Sequence, residues 1–313
     1  MYPRLFQFGP VTLPTYGACL ALGLVAALFL ALHNARRLKI SPESMWNLSM
    51  AMVLCGLVGS KLFLILTNLR DFLSFPLLML SLPVTQSPLA LLGGVALAFV
   101  VGYIYLRGKK MPLLATLDAL APALLLADAF ANLGAFASGS DYGTPTAHRW
   151  GVIYSSHWAA FWSGTPLGIR LQPTQLYLCA VDLLLCALLL WLLPRQRQSG
   201  ESMGAGLFLS GLAFFGIDFF RGDVSTPLFH GTISLAQAIS ALMVIVGALL
   251  WLEREDSITA ASSTPSLAVI HTTAQSALEQ HTDHSSPRPH LQLIAKPSQV
   301  AAPNEPHRNR HEK

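Results

Sequence analysis

Five ionisable side chains, Lys61, Asp118, Asp128, Asp182 and Asp218, lie inside apolar stretches of this chain, and Arg221 follows directly after one. In hydrocarbon each costs at least about 2.5–3.5 kcal/mol at mid-span, so each implies a partner or an aqueous cavity. Asp218 and Arg221 are spaced i, i+3, share a helix face and can pair directly. The plain reading is a salt bridge that locks helix packing. The chemical reading is a cationic seat for a lipid phosphate, with Asp218 orienting Arg221. An ammonium as deep as Lys61 also needs an anion, and phosphate is the natural one at the outer leaflet.

A second cluster is the segment Asn132–Thr146, NLGAFASGSDYGTPT, which interrupts the end of an apolar stretch with Gly134, Gly139 and Gly143. Glycine allows tight turns and close approach to a ligand, and irregular backbone at membrane depth is sheltered by protein or lines a cavity. Three glycines with Asp141, Tyr142 and Pro145 favour a lined site over a plain helix exit.

The elements that must position these groups are seven apolar runs: Leu13–Leu32, Trp46–Leu66, Leu89–Leu106, Leu113–Phe136, Gln175–Leu193, Met203–Phe220 and Thr232–Leu252. About 20 helical residues cross a hydrocarbon core of roughly 30 Å, and the runs meet that length. With 53% hydrophobic residues, 12% charged and a mean hydropathy of +0.50, the chain has too little polar surface to cover a soluble globule. The expected fold is an all-α integral membrane protein with seven transmembrane helices. Arg36, Arg37 and Lys39 follow the first run, Arg107, Lys109 and Lys110 the third, and Arg195 and Arg197 the fifth. Positive charge in short loops stays cytoplasmic. The expectation is therefore an N-terminus outside, a C-terminus in the cytoplasm and an outward-facing loop after the fourth run.

The first run is too long and ends too basic for a cleaved signal peptide. Cys19, Cys55, Cys179 and Cys186 all lie in apolar runs, where a thiol acts as a small hydrophobe, and no spacing suggests a metal or a disulfide. The net charge of +4 sits in flanking loops and the tail, which fits topology and lipid headgroups and not nucleic acid. Residues 1–252 form one membrane domain. Residues 253–313 turn to Ser, Thr, Pro, Gln and His without aromatics, and are read as a disordered polar cytoplasmic tail. Six of the ten histidines lie there without metal-site spacing. Between Thr67 and Pro88 a short apolar piece, Phe75–Leu82, is too short to cross and is read as interfacial or re-entrant. No inverted repeat or pair of broken helices points to a transporter.

The glycine-punctuated segment resembles the signature of bacterial prolipoprotein diacylglyceryl transferases. FGPVTLPTYG with Tyr16, LDALAPAL around Asp118, QPTQLY with Gln175 and Tyr177, IDFFRGD and ISLAQAIS resemble further elements, in the family's order from Phe8 to Leu252. The resemblance implies seven spans in the bacterial inner membrane, no cofactor, and two substrates: phosphatidylglycerol and the lipobox cysteine of a prolipoprotein signal peptide. It implies transfer of the diacylglyceryl group to the thiol, giving a thioether and glycerol phosphate. A thiol with a pKa near about 8.5 must lose its proton, and the leaving phosphate must be held by cations.

The chain departs from the family pattern where that chemistry is done. Leu92 stands at the position of a histidine, Asn132 and Phe214 at positions of arginines, and Lys61 at that of another. Ala135 replaces Asn or Cys, Asp218 a Glu, and Leu178 an acid. Lysine keeps charge but loses the bidentate fork of arginine, and Asn or Phe loses both. His148, His157 and His230 are candidate substitute bases, against the plainer reading of exposed loop histidines.

Three readings follow: an active transferase with a rearranged site, a weakened paralogue that binds phosphatidylglycerol or prolipoprotein without transfer, and an unrelated transporter or channel. For the active enzyme, Lys61 and Arg221 seat the phosphate, Asp218 orients Arg221, and Asn132 donates to the headgroup. Tyr16 contacts the glycerol, Gly139, Tyr142 and Gly143 shape the entrance, and Gln175 binds substrate.

Overall fold

A computed structural model describes residues 4–8, 11–74, 88–223, 227–228 and 233–263. An antiparallel hairpin, β1 (Arg4–Phe8) with β2 (Val11–Pro14), leads into α1 (Thr15–Arg37). Then come α2 (Pro42–Thr67), the short α3 (Leu69–Ser74), α4 (Pro88–Gly108) and α5 (Leu113–Ser138). A loop layer follows, holding β3 (Val152–Ile153), α6 (His157–Ser163) and β4 (Arg170–Leu171). The chain continues through α7 (Thr174–Leu192), α8 (Glu201–Asp218), a hairpin of β5 (Pro227–Leu228) and β6 (Ile233–Ser234), and α9 (Leu235–Ser263).

Five of these helices, α1, α2, α4, α5 and α7, are long and apolar enough to cross a membrane, and a shorter apolar helix spans Leu235–Leu250. The protein is an α-helical membrane protein, with small hairpins that the hydropathy pattern does not carry. The last helix runs to Ser263, beyond the Leu252 boundary expected for the membrane domain. The chain divides into two units, one ending at Ile258 and one beginning at Thr259. Phe75–Leu82 and most of the tail lie outside the described residues.

Local chemistry sets the helix limits. Ser41 caps α2 by accepting from the Ser44 N–H, with Pro42 and Glu43 in the first turn, where a fixed φ and a negative charge are favoured. Arg36 and Arg37 close α1 at the end where cations suit the helix dipole.

Packing relies on small side chains. Ala27, Ala31, Ala35, Ala119 and Ala123 gather around Met45 and Leu48 in one buried cluster, where short side chains let helix backbones approach. Large apolar side chains such as Leu22, Phe29, Leu54, Leu66, Phe99, Ile104 and Leu184 point outward, the surface a bilayer would cover. The helices alternate in direction. Asn34, near the end of α1, donates to Ala119 O, near the start of α5, at 3.1 Å. Gly134, near the end of α5, packs beside Tyr16 and Cys19 at the start of α1.

One end of the bundle therefore gathers the turns carrying Arg36, Arg37, Lys39, Arg107, Lys109, Lys110, Arg195 and Arg197. At that end α8 has no side-chain cap of its own, its N-cap being Gly200 at φ 88°. Asp118, fully buried on α5, supplies one from 82 residues away: its carboxylate accepts from the N–H groups of Gly200 and of Met203, the latter at 2.9 Å. The orphan donors of a helix start thus find their partner in the tertiary fold. This gives the intramembrane Asp118 its counterpart.

Candidate functional site: an arginine among carboxylates at one end of the bundle

The opposite end holds the loop layer. Helix α5 does not break at Gly134, as the sequence pattern suggests, because Gly134 is a packing position: a Cβ there would stand 2.9 Å from Cys19 Cβ and 3.1 Å from Tyr16 Cα. The helix runs to Ser138 and ends on Gly139, whose φ of 84° is the left-handed cap that glycine adopts without strain. Beyond it the chain turns through Asp141, at φ 55°. Few residue types accept that conformation, Asp being one of them.

Residues 142–146 then run between two other segments. On one side the Gly143 N–H donates to Gln172 O at 3.0 Å, Gln172 N–H to Thr144 O at 3.0 Å and Thr146 N–H to Arg170 O at 2.9 Å. On the other, Thr144 N–H donates to Phe220 O at 2.8 Å and Gly222 N–H to Tyr142 O at 2.9 Å. Gly143 sits between them, with the side-chain Cβ of Gln172 2.8 Å and Phe220 O 2.9 Å from where its own Cβ would be. No larger residue fits without moving a strand.

This layer delivers Arg221 to Asp141. The guanidinium donates to Asp141 Oδ1 at 2.9 Å and to both oxygens of Asp223, at 2.9 and 2.5 Å. Asp218 Oδ1 lies 3.7 Å from Nε, the i, i+3 pair read from the sequence. Burial works against the Arg221 charge, yet the hydrogen bonds and charges of Asp223, Asp141 and Asp218 outweigh it and hold the guanidinium firmly protonated. Burial pushes the Asp141 carboxyl up from its ordinary range, Arg221 pulls it down and Asp223 adds to the rise; the net direction is upward. Ser234, at the head of α9, donates from its hydroxyl to Asp218 Oδ2 at 2.5 Å. The start of α9 is thereby tied to the end of α8.

The other expected residues fall into separate places. Gln175 is fully buried and its amide donates to Ser140 O at 2.6 Å and to the Tyr154 hydroxyl at 3.2 Å, so it braces the layer from α7. Thr174 adds a bond from its hydroxyl to Asp141 O at 2.9 Å. The Tyr142 hydroxyl donates to Gly164 O at 3.3 Å, and burial raises its pKa, with Asp223 adding to the effect. Tyr16 is half-buried at the start of α1 beside Gly134. Lys61 is half-buried in α2, whose end lies at the same face of the bundle. The Asn132 amide nitrogen is engaged inside the bundle, 3.0 Å from Asp182 Oδ2 and 3.5 Å from Asp128 Oδ2. His148 is exposed and stacks on Trp150 at 4.4 Å, His157 opens α6, and His230 lies outside the described residues. Among the described residues no group of three or more His, Cys, Asp or Glu could hold a metal ion.

Sequence reasoning passed over Asp223, Tyr154, Thr174 and Ser234. Asp223 had a signal, since it stands two residues after an arginine beyond a span. The other three have none, because their partners lie between 16 and 33 residues away.

An α-helical membrane protein with an arginine seated among carboxylates at the less basic end of its bundle is the class these features define. The chain belongs to the prolipoprotein diacylglyceryl transferase family, which it matches over residues 3–253. It is 28% identical over 247 residues to the phosphatidylglycerol–prolipoprotein diacylglyceryl transferase of Clostridium tetani, covering 79% of this chain and 95% of that protein. To the enzyme of the same name from Parasynechococcus marenigrum it is 28% identical over 278 residues, 80% of this chain and 94% of that one. To a second form from Clostridium perfringens it is 26% identical over 239 residues, 76% and 89% respectively.

Proposed function

We propose that this protein transfers the diacylglyceryl group of phosphatidylglycerol to the lipobox cysteine thiol of prolipoproteins. The family match across residues 3–253 is the observation that carries the activity. The site adds support: Arg221 is a guanidinium held by Asp218, Asp141 and Asp223 beside the loop after α5, and a departing phosphate needs a cation. In this reading Arg221 and Lys61 seat the phosphate and Tyr16 meets the glycerol. Gly139, Tyr142 and Gly143 shape the mouth, and Gln175 holds its wall.

Seven crossings of a bacterial inner membrane follow, with the N-terminus outside and residues 253–313 as a polar cytoplasmic tail. The alternating helices and the collection of Lys and Arg at one end support that orientation. A second reading, a paralogue that binds phosphatidylglycerol or prolipoprotein with weakened transfer, is favoured by Asn132, whose amide is engaged by Asp182 and Asp128 and so is not presented to a headgroup.

Complementation of a transferase-depleted bacterium, with mass spectrometry of a lipobox peptide, separates the two. A thioether-linked diacylglyceryl on the peptide supports transfer. Its absence with phosphatidylglycerol binding retained supports the paralogue, and loss of both retires both readings. Labelling of Ala147→Cys in a cysteine-free background tests orientation. Reaction only from the cytosolic side would remove the proposed site from the outer leaflet.

A further inference from the structure

Asp128 on α5 and Asp182 on α7 are brought together inside the bundle, and the salt-bridge account of the loop layer does not use them. The Asn132 amide spans the two carboxyls, its nitrogen 3.0 Å from Asp182 Oδ2 and 3.5 Å from Asp128 Oδ2. Asp182 is fully buried and its Oδ1 has no donor among the described residues. Asp128 is exposed, but to a cavity of about 440 Å³ between helices, lined by Val95, Leu125, Ser210, Phe214 and Met243 among others. Among the described residues that line it, Asp128 is the one ionisable group. Among the described residues, the titratable groups near enough to act on it are Tyr16 of α1, Asp182 and Cys179 of α7 and Asp141 of the loop layer, and the side chains that line the cavity from α4, α8 and α9 are neutral. No cation is among them. Two carboxylates so placed ionise together only at high cost, so the pair holds a proton that it can exchange.

We propose that Asp128 and Asp182 form a one-proton pair that carries the proton of the transfer reaction, Asp128 exchanging it at the cavity and Asp182 acting as its positioning partner. This rests on the transferase reading. Asp128 accepts the proton of the acceptor thiol. The thiolate electron pair forms the C–S bond to the terminal glycerol carbon, the C–O bond to phosphate breaks, and its electrons leave on glycerol phosphate. The proton passes from Asp128 to that departing phosphate, which returns the pair to its starting state. Asn132 fixes the geometry of the pair, which gives an amide at this position a use of its own.

The test uses the full chain in phosphatidylglycerol proteoliposomes with a lipobox peptide. Asp128→Asn is expected to lower kcat by about 10²–10⁴-fold, the usual weight of a proton-transfer group, with KM little changed and partial rescue by Asp128→Glu. Asp182→Asn is expected to displace the pH profile of kcat. Infrared spectroscopy supplies a readout apart from activity: the carbonyl band of a protonated carboxyl in wild type, lost or shifted in each Asn variant and kept in Asp182→Glu. If wild type transfers and Asp128→Asn transfers equally well, this inference fails alone. If wild type transfers nothing, the transferase reading fails and takes this one with it. Should the Asn variants not fold, wild type and the Glu variants decide, and absence of the band in wild type overturns the shared proton.

Discussion

Replacing Asp118 by alanine should destabilise the protein without harming its chemistry. The carboxylate accepts two backbone N–H groups at the start of α8, those of Gly200 and Met203, and it is fully buried. Each charge-assisted bond contributes about 1.5–3 kcal/mol. A negative charge at a helix start adds roughly 0.3–1 kcal/mol. Alanine also leaves the Gly200 and Met203 N–H groups without their carboxylate acceptor, since α8 has no side-chain cap of its own. Allowing for partial relaxation, the loss is about 3–5 kcal/mol. At about 2–4 °C per kcal/mol for a domain of this size, the unfolding temperature falls by roughly 6–20 °C. Asp118→Asn keeps one acceptor and should lose about half as much. Thermal unfolding in detergent measures both. Because Asp118 sits at the basic end and Arg221 at the other, kcat/KM of the folded fraction should stay near wild type. A fall under about 2 °C in Asp118→Ala would refute the tertiary cap.

Arg221→Ala should damage transfer more than Asp218→Asn, by about 10²-fold or more against less than tenfold, since one removes the cation and the other only a brace; the reverse order in the transfer assay contradicts those roles. Gly143→Ala should cost roughly 1–3 kcal/mol and lower transfer, because its Cβ would stand 2.8 Å from Gln172 Cβ and 2.9 Å from Phe220 O; unchanged unfolding and rate would show that the layer has slack. The raised Asp141 carboxyl favours the folded state below its ordinary value of 3.8, and that contribution is lost as pH rises through the higher folded value. The difference in unfolding temperature between wild type and Asp141→Asn should therefore fall from acid toward neutral pH. It should be small, because solvent reaches 42% of the side chain. A difference that grows with pH would contradict the direction.

Hydropathy and charge made the helices legible, since both are local: each apolar run must satisfy its own backbone in lipid, and each basic turn sits beside its own helix. The runs read from sequence agree with α1, α2, α4, α5 and α7 to within a few residues. The Asp218–Arg221 pair was legible for the same reason, being one turn apart on one helix end. Gly134 was not, because a glycine that packs and a glycine that turns look alike until the neighbouring helix is known.

Sequence alone thus determined what this protein folds in, which runs form its long apolar helices and which residues carry charge within it. Only the tertiary structure decided how those charges pair: Asp118 with the start of α8, Asn132 with Asp128 and Asp182, and Arg221 with Asp141 and Asp223. The reason is physical. A buried charge must find a partner, and in a bundle of antiparallel helices most partners lie on a different helix, at a sequence distance that no local pattern encodes.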